Sequence, residues 1–302
     1  MFNRKLFLPV SLVVCAMLFG FACVAQERNS RAILIESPPP YDHKIAYGSD
    51  PLQFGELQLP KGPGPHPVVI FIHGGCWLSQ YNLKHAGHLC AALAEVGIAS
   101  WNIEYRRVGD VGGGWPGTFE DVARGVDYAQ TLAKTYPLDL NRVVVAGHSA
   151  GAHLALWITA RKNLPLDHPL HPKNPLKLSG VVSIAGVADL RKKIAACGGA
   201  IEKLMGGAPD DQAARYSQAS PIDLLPLGVK QIIVHGELDK IVPVSMSAEY
   251  AEAAKKRGDD VKLVVIEKAA HFEVIDPKSF AWARVRDEIL ALLKVGGSTK
   301  NN

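Results

Sequence analysis

Residues 142–160 read RVVVAGHSAGAHLALWITA, and the fold class follows from where the strand in it stops and the helix starts. RVVVAG is a continuous β-branched apolar run, the pattern of a strand buried on both faces. AGAHLALWITA is rich in alanine and leucine and reads as a helix. Between them Gly147-His148-Ser149-Ala150-Gly151 forms a G-x-S-x-G motif in the strand–turn–helix context that the motif requires. The glycines permit a tight turn, the serine hydroxyl is lifted above the sheet edge, and the unpaired N–H groups of the helix start face whatever it attacks. Ser149 is therefore the expected nucleophile.

Outward from this point, apolar runs alternate with helical stretches. VVIFIHG, ASWNIEY, GVVSIAG, QIIVHG and KLVVIE read as further buried strands, and KIAYG and LQFGELQL as two earlier ones. Between and after them lie LKHAGHLCAALAEVG, TFEDVARGVDYAQTLAKTY, SAEYAEAAKKRG and a last helix around FAWARVRDEILALLK, with Thr118 expected to cap the second. Parallel strands need crossovers, and crossovers cover the sheet faces. The pattern predicts an α/β fold over residues 50–296, a mostly parallel doubly wound sheet with helices on both faces. Two stretches depart from the rhythm. VGDVGGGWPG (residues 108–117) is a glycine-rich loop, and residues 187–227 are too long for one helical crossover. The second reads as a small lid-like insertion over the carboxyl edge of the sheet.

The N-terminus has a separate character. A basic MFNRK, an apolar stretch and the small-residue pattern Cys23-Val24-Ala25 before QERNSR describe a signal peptide, residues 1–25, cleaved after Ala25. A secreted or periplasmic protein is expected. Membrane contact would come only through this segment, either uncleaved, since ~20 apolar residues can span a bilayer, or lipidated at Cys23. Residues 26–49 are a lead-in whose ESPPPYDHK resists regular structure, and residues 297–302 a disordered tail.

The formal net charge is +4, and Arg4 and Lys5 supply two of those units. With no basic patch and no basic run interleaved with aromatics, nucleic acid is excluded as a partner. After cleavage Cys76, Cys90 and Cys197 remain, enough for at most one disulfide and no framework. Cys76 has no base paired with it and reads as a small filler residue. The pair His85/His88 lies on a probable helix and His168/His171 in a proline-rich loop, so both read as ordinary solvated histidines and no metal site is expected.

A serine nucleophile needs a base. His271, in VKLVVIEKAAHFEV, falls a few residues beyond the final strand, at the same sheet edge as Ser149. His235, within or at the end of a strand, and His148, beside the nucleophile, are weaker candidates. The carboxylate that orients the base comes from QIIVHGELDKIVP, where Asp239 is favoured over Glu237, with Asp189 third. The order Ser, Asp, His is that of the α/β-hydrolases. Donors for the tetrahedral oxygen are expected from Gly74, Gly75 or Cys76, which follow the strand VVIFI, together with Ala150. Tyr105-Arg106-Arg107 offers an anion site or, equally, ion pairs with Glu104 or Asp121.

HGGCW, GHSAGAHL, HGELDKIVP and AAHF together resemble the α/β-hydrolase fold esterase/lipase family, in the branch of hormone-sensitive-lipase-like carboxylesterases, kynurenine formamidases and feruloyl and xylan ester hydrolases. The resemblance spans roughly residues 50–295. It implies hydrolysis by Ser149, His271 and Asp239 through an acyl-enzyme with no metal or organic cofactor, on a small-molecule ester or amide. HGG-x-W with GHSAGAHL is most similar to the formamidase branch. The export signal departs from the intracellular formamidases and turns the expectation toward small, aromatic or sugar-linked esters. Trp77, Trp115 and the segment from Lys203 to Tyr216 are expected to line the substrate pocket, with core packing the competing reading of both tryptophans. An arylformamidase, a serine peptidase and a non-catalytic binding protein on the same scaffold are the alternatives.

Overall fold

The computed structural model describes residues 30–294, so the expected signal peptide and C-terminal tail lie outside the described residues. Eight strands form one sheet: β1 (His43–Ala46), β2 (Phe54–Gln58), β3 (His66–Ile72), β4 (Ala99–Ile103), β5 (Leu138–His148), β6 (Gly180–Ile184), β7 (Lys230–Gly236) and β8 (Val261–Ile266). Their spatial order is β1-β2-β4-β3-β5-β6-β7-β8. β1 pairs antiparallel with β2 and β2 with β4, and every later pairing is parallel.

The helices are α1 (Lys84–Glu95), α2 (Gly117–Asp127), α3 (Ala129–Leu132), α4 (Ala150–Ala160), α5 (Ala200–Met205), α6 (Ala213–Ala219), α7 (Val244–Lys256) and α8 (Trp282–Lys294). The period-2 alternation of strand side chains divides them between two cores. Val68, Ile70 and Ile72 of β3, with Val143 and Val145 of β5, join α2, α4 and α7 on one face. Val69 and Phe71, with Val144 and Ala146, join α1 and α8 on the other. The continuous apolar runs follow from this arrangement, because each central strand has a core on both sides.

Three local expectations need correction. Thr118 is not a cap: it sits inside α2, where its hydroxyl donates to Arg106 O (2.5 Å) and accepts from Gly114 N–H (3.0 Å). Residues 187–227 do not simply overlie the sheet edge, for Ile201, Leu204, Met205, Tyr216 and Ala219 are buried in the same core as α4. The lead-in ESPPPYDHK does not stay irregular to its end, for His43 and Lys44 open β1. Ser30–Leu34 forms a 3-10 turn whose Ile33 is buried against the α1 face.

Candidate active site

The strand-to-helix turn is built by steric exclusion. A Cβ on Gly147 would lie 2.2 Å from Gly151 O, and one on Gly151 would lie 2.0 Å from Ile72 O. Only glycine allows β5, α4 and the end of β3 to approach this closely. Ser149 itself has φ +55° and ψ −120°, a conformation rare for a side-chain-bearing residue. Its N–H donates to Ile184 O (2.8 Å), and its carbonyl accepts from Ala152 N–H (3.0 Å) and His153 N–H (3.1 Å), so sheet and helix hold the turn from both sides. Ala150 is the first residue of α4, where helix N–H groups lack intrahelical partners.

Asp239 and His271 come together from the loops after β7 and β8. His271 Nδ1–H donates to Asp239 Oδ2 at 2.6 Å, with both side chains buried. The second carboxylate oxygen accepts N–H bonds from Ile241 (2.8 Å) and Val242 (2.9 Å). His235 points at the same carboxylate, its Nε2 3.2 Å from Oδ2. Burial alone would raise the Asp239 carboxyl, but hydrogen bonds from His235, His271 and Val242 outweigh it and hold the group well below the usual carboxylate range. With Nδ1 committed to Asp239, Nε2 is the nitrogen of His271 left for proton exchange.

Ser149 and His271 line one cavity of about 200 Å³, together with Gly75 and Cys76 from the loop after β3. Gly74 lies behind this wall, and a Cβ there would fall 2.7 Å from His148 O and 3.2 Å from Ser149 Cβ. The loop is anchored from below. His73 Nε2–H donates to Glu104 (2.8 Å), its carbonyl accepts from the Tyr105 hydroxyl (2.8 Å), and Arg107 pairs with Glu104 at 3.0 Å. Burial raises the Glu104 carboxyl, but His73 and Arg107 overcome this and lower it. Arg106 pairs with Asp121 at 2.6 Å, so both arginines of the Tyr105-Arg106-Arg107 run are committed to carboxylates.

Other sequence expectations fare differently. Cys76 is not a filler: it is bonded to Cys197, and among the described cysteines only Cys90 is free. Neither Trp77 nor Trp115 lines the cavity. The Trp77 side chain is buried and its indole donates to His153 Nδ1 (3.2 Å), while Trp115 packs edge-on against Phe119 with ring centroids 4.9 Å apart. Lys203–Tyr216 contributes no residue to the cavity, whose wall from the insertion is Ala196. Arg31 and Leu34 of the 3-10 turn complete it, a contribution that no motif announced.

His85 is buried and not solvated, and it also reaches the cavity. Its Nε2 lies 2.7 Å from His148 Nδ1, and His148 Nε2 lies 2.8 Å from the carbonyl of His271. Since a carbonyl only accepts, His148 carries its proton on Nε2 and His85 carries its own on Nε2, an ordered pair behind the histidine loop. The other histidine pair is also engaged, His168 with Gln218 (3.1 Å) and His171 with Leu164 O (3.0 Å). His235 and His148 are thus supports, the first for the carboxylate and the second for the backbone at His271.

Solved structures share this architecture. Esterase B from Lactobacillus rhamnosis superposes with a TM-score of 0.74 at 20% identity, covering 88% of this chain and 90% of that one. A truncated carbohydrate esterase from gut microbiota gives 0.73 at 19%, covering 86% and 100%. Those likenesses concern the fold. Among curated proteins, a probable isoprenylcysteine alpha-carbonyl methylesterase of Oryza sativa is 27% identical over 82% of this chain and 63% of its own length. A kynurenine formamidase of Meyerozyma guilliermondii is 34% identical over 50% of this chain and 54% of its own. The chain spans between about half and just under two thirds of the curated relatives it matches. The BD-FAE family model matches residues 56–253, which hold Ser149, Asp239 and the loop after β3, and the chain belongs to that family of α/β-hydrolases.

Proposed function

We propose that the protein is a serine hydrolase of carboxylic esters that works through an acyl-enzyme. The observation that carries this reading is one constellation: His271 bonded to a buried Asp239 at 2.6 Å, in a cavity wall shared with Ser149, Gly75 and Cys76. In this scheme Ser149 Oγ attacks the carbonyl carbon while His271 Nε2 takes its proton. The oxygen that becomes negative is met by backbone N–H groups from Gly75 or Cys76 and from Ala150. Collapse of the intermediate breaks the ester C–O bond, and His271 returns the proton to the departing alcohol. Water, deprotonated by the same imidazole, then releases the acid and regenerates Ser149.

The cavity volume and its Leu34, Tyr81, Ile241 and Phe272 walls favour a short or flat, mostly apolar group on the substrate. A second reading, hydrolysis of an N-formyl aromatic amide, is favoured by the 34% identity to a kynurenine formamidase over half of the chain. Export from the cytoplasm is part of the proposal, and the disulfide supports it, since such bonds persist in oxidising compartments. Rates on p-nitrophenyl acetate, feruloyl and acetylated-sugar esters and N-formylkynurenine, each with Ser149→Ala as control, test the proposal. Hydrolysis of at least one ester, faster than the formamide and lost in the variant, is expected. Absence of ester turnover would refute it.

A further inference from the structure

The scheme above gives the Cys76–Cys197 disulfide no task. The bond joins residues 121 positions apart, with Cα atoms at 5.5 Å. One end lies in the loop that carries the oxygen-binding N–H groups. The other closes the 3-10 turn Ala195–Cys197 of the insertion, whose Ala196 forms part of the cavity wall.

The loop at the first end holds an unfavourable backbone. Gly75, Cys76 and Trp77 have φ of +109°, +52° and +57°, three consecutive residues in a region that side-chain-bearing residues rarely enter. Such a run persists only where its surroundings over-determine it. Trp77 is held by its buried indole on His153 and by Val108 N–H, which donates to its carbonyl (2.8 Å). Gly75 is held by Leu78 N–H on its carbonyl (3.0 Å). Cys76, between them and half-buried at the cavity, is held through its sulfur.

We infer that Cys197 is a positioning residue: through the disulfide it fixes the Gly75–Cys76 backbone where the tetrahedral oxygen forms, and it holds the Ala196 wall of the same cavity. The inference rests on the proposed hydrolase reading. Donors aimed at the transition-state oxygen contribute to turnover far more than to substrate binding. Loosening them should therefore lower kcat with little change in KM.

The test uses the full chain. A dithiol transfers two electrons to the Cys76–Cys197 bond, closes to its own cyclic disulfide and leaves two thiols, whose appearance is read by peptide mass after alkylation. Cys197→Ser and the double variant Cys76→Ser with Cys197→Ser reach the same state without reductant. On p-nitrophenyl acetate, kcat should fall about 10–100-fold with KM within about threefold. Near-UV circular dichroism should be retained, and backbone amides of the loop after β3 should exchange with deuterium faster than those of β5. Unchanged kcat and unchanged exchange in the fully reduced protein would overturn the inference. So would a kcat loss accompanied by loss of the near-UV signal, which marks a bond that only holds the fold together. If the oxidised protein turns over no ester, the hydrolase reading fails, and the exchange comparison still decides whether the bond positions the loop.

Discussion

Asp239 uses its two oxygens differently, and its role follows from the division. Oδ1 is occupied by the N–H groups of Ile241 and Val242, which fix the plane of the carboxylate, and Oδ2 receives the ring N–H of His271 and lies 3.2 Å from His235 Nε2, whose N–H faces Val242 O at 2.9 Å. Asp239→Asn would keep a carbonyl oxygen for the backbone donors but turn an amide nitrogen toward the ring donor of His271. His271 could then bond only by moving its proton to Nε2, the nitrogen that the proposed scheme uses as a base. Ester kcat should drop by roughly 10³–10⁴-fold with the fold intact. A loss under tenfold in steady-state assays would argue that Asp239 does not orient His271. The placement of Ser149, Asp239 and His271 at one sheet edge was legible in the sequence because each follows a recognisable strand. The supports were not. His235 reads as part of an apolar strand, and His85 sits 63 residues from the His148 it bonds, so no local pattern announces either.

At the scale of elements, the strand–turn–helix is a close-packed joint of three backbones. A methyl group on Gly151 would meet the carbonyl of Ile72, which is backbone and cannot swing aside as a side chain would. Gly151→Ala should cost about 1–3 kcal/mol in denaturant unfolding and remove most ester activity, because relief requires displacement of the loop after β3 or of Ser149. A variant as stable and active as the parent would contradict this packing. The strands were legible as apolar runs and α1, α2 and α7 as amphipathic helices, for the sheet has a core on each face. The insertion was visible only as an interruption, since α5 and α6 are short and their burial depends on α4, far away in sequence. The disulfide was equally hidden. Three cysteines give a parity but no partner, and the pairing arises when the insertion folds back on the loop after β3.

For the whole molecule, three neutral imidazoles buried beneath the sheet edge couple stability to pH. Burial pushes His85 down to about 3 and His153 down to about 4, and burial with the neighbouring His271 and His85 lowers His148 well below its ordinary value. Unfolded, each ring takes a proton near pH ~6.5. Folded, it stays neutral to a much lower pH, so the unfolded state binds more protons across that interval and stability falls as pH drops below about 6.5. Each ring contributes at most about 1.4 kcal/mol per pH unit within the interval. Asp239, with its lowered carboxyl, adds a loss that begins only near pH ~4 and continues downward. Melting temperature should decline steadily from about pH 6.5 to pH 4.5, whereas a flat profile there would show that the rings are not buried neutral. Whether Ser149 and His271 form one catalytic unit is decided by kcat/KM of Ser149→Ala, His271→Ala and the double variant on one short ester. Each single variant is expected to lose nearly all activity, and the double variant to be no slower than the worse single within about threefold. Losses that multiply, or a His271→Ala enzyme that keeps substantial activity, would contradict a single unit.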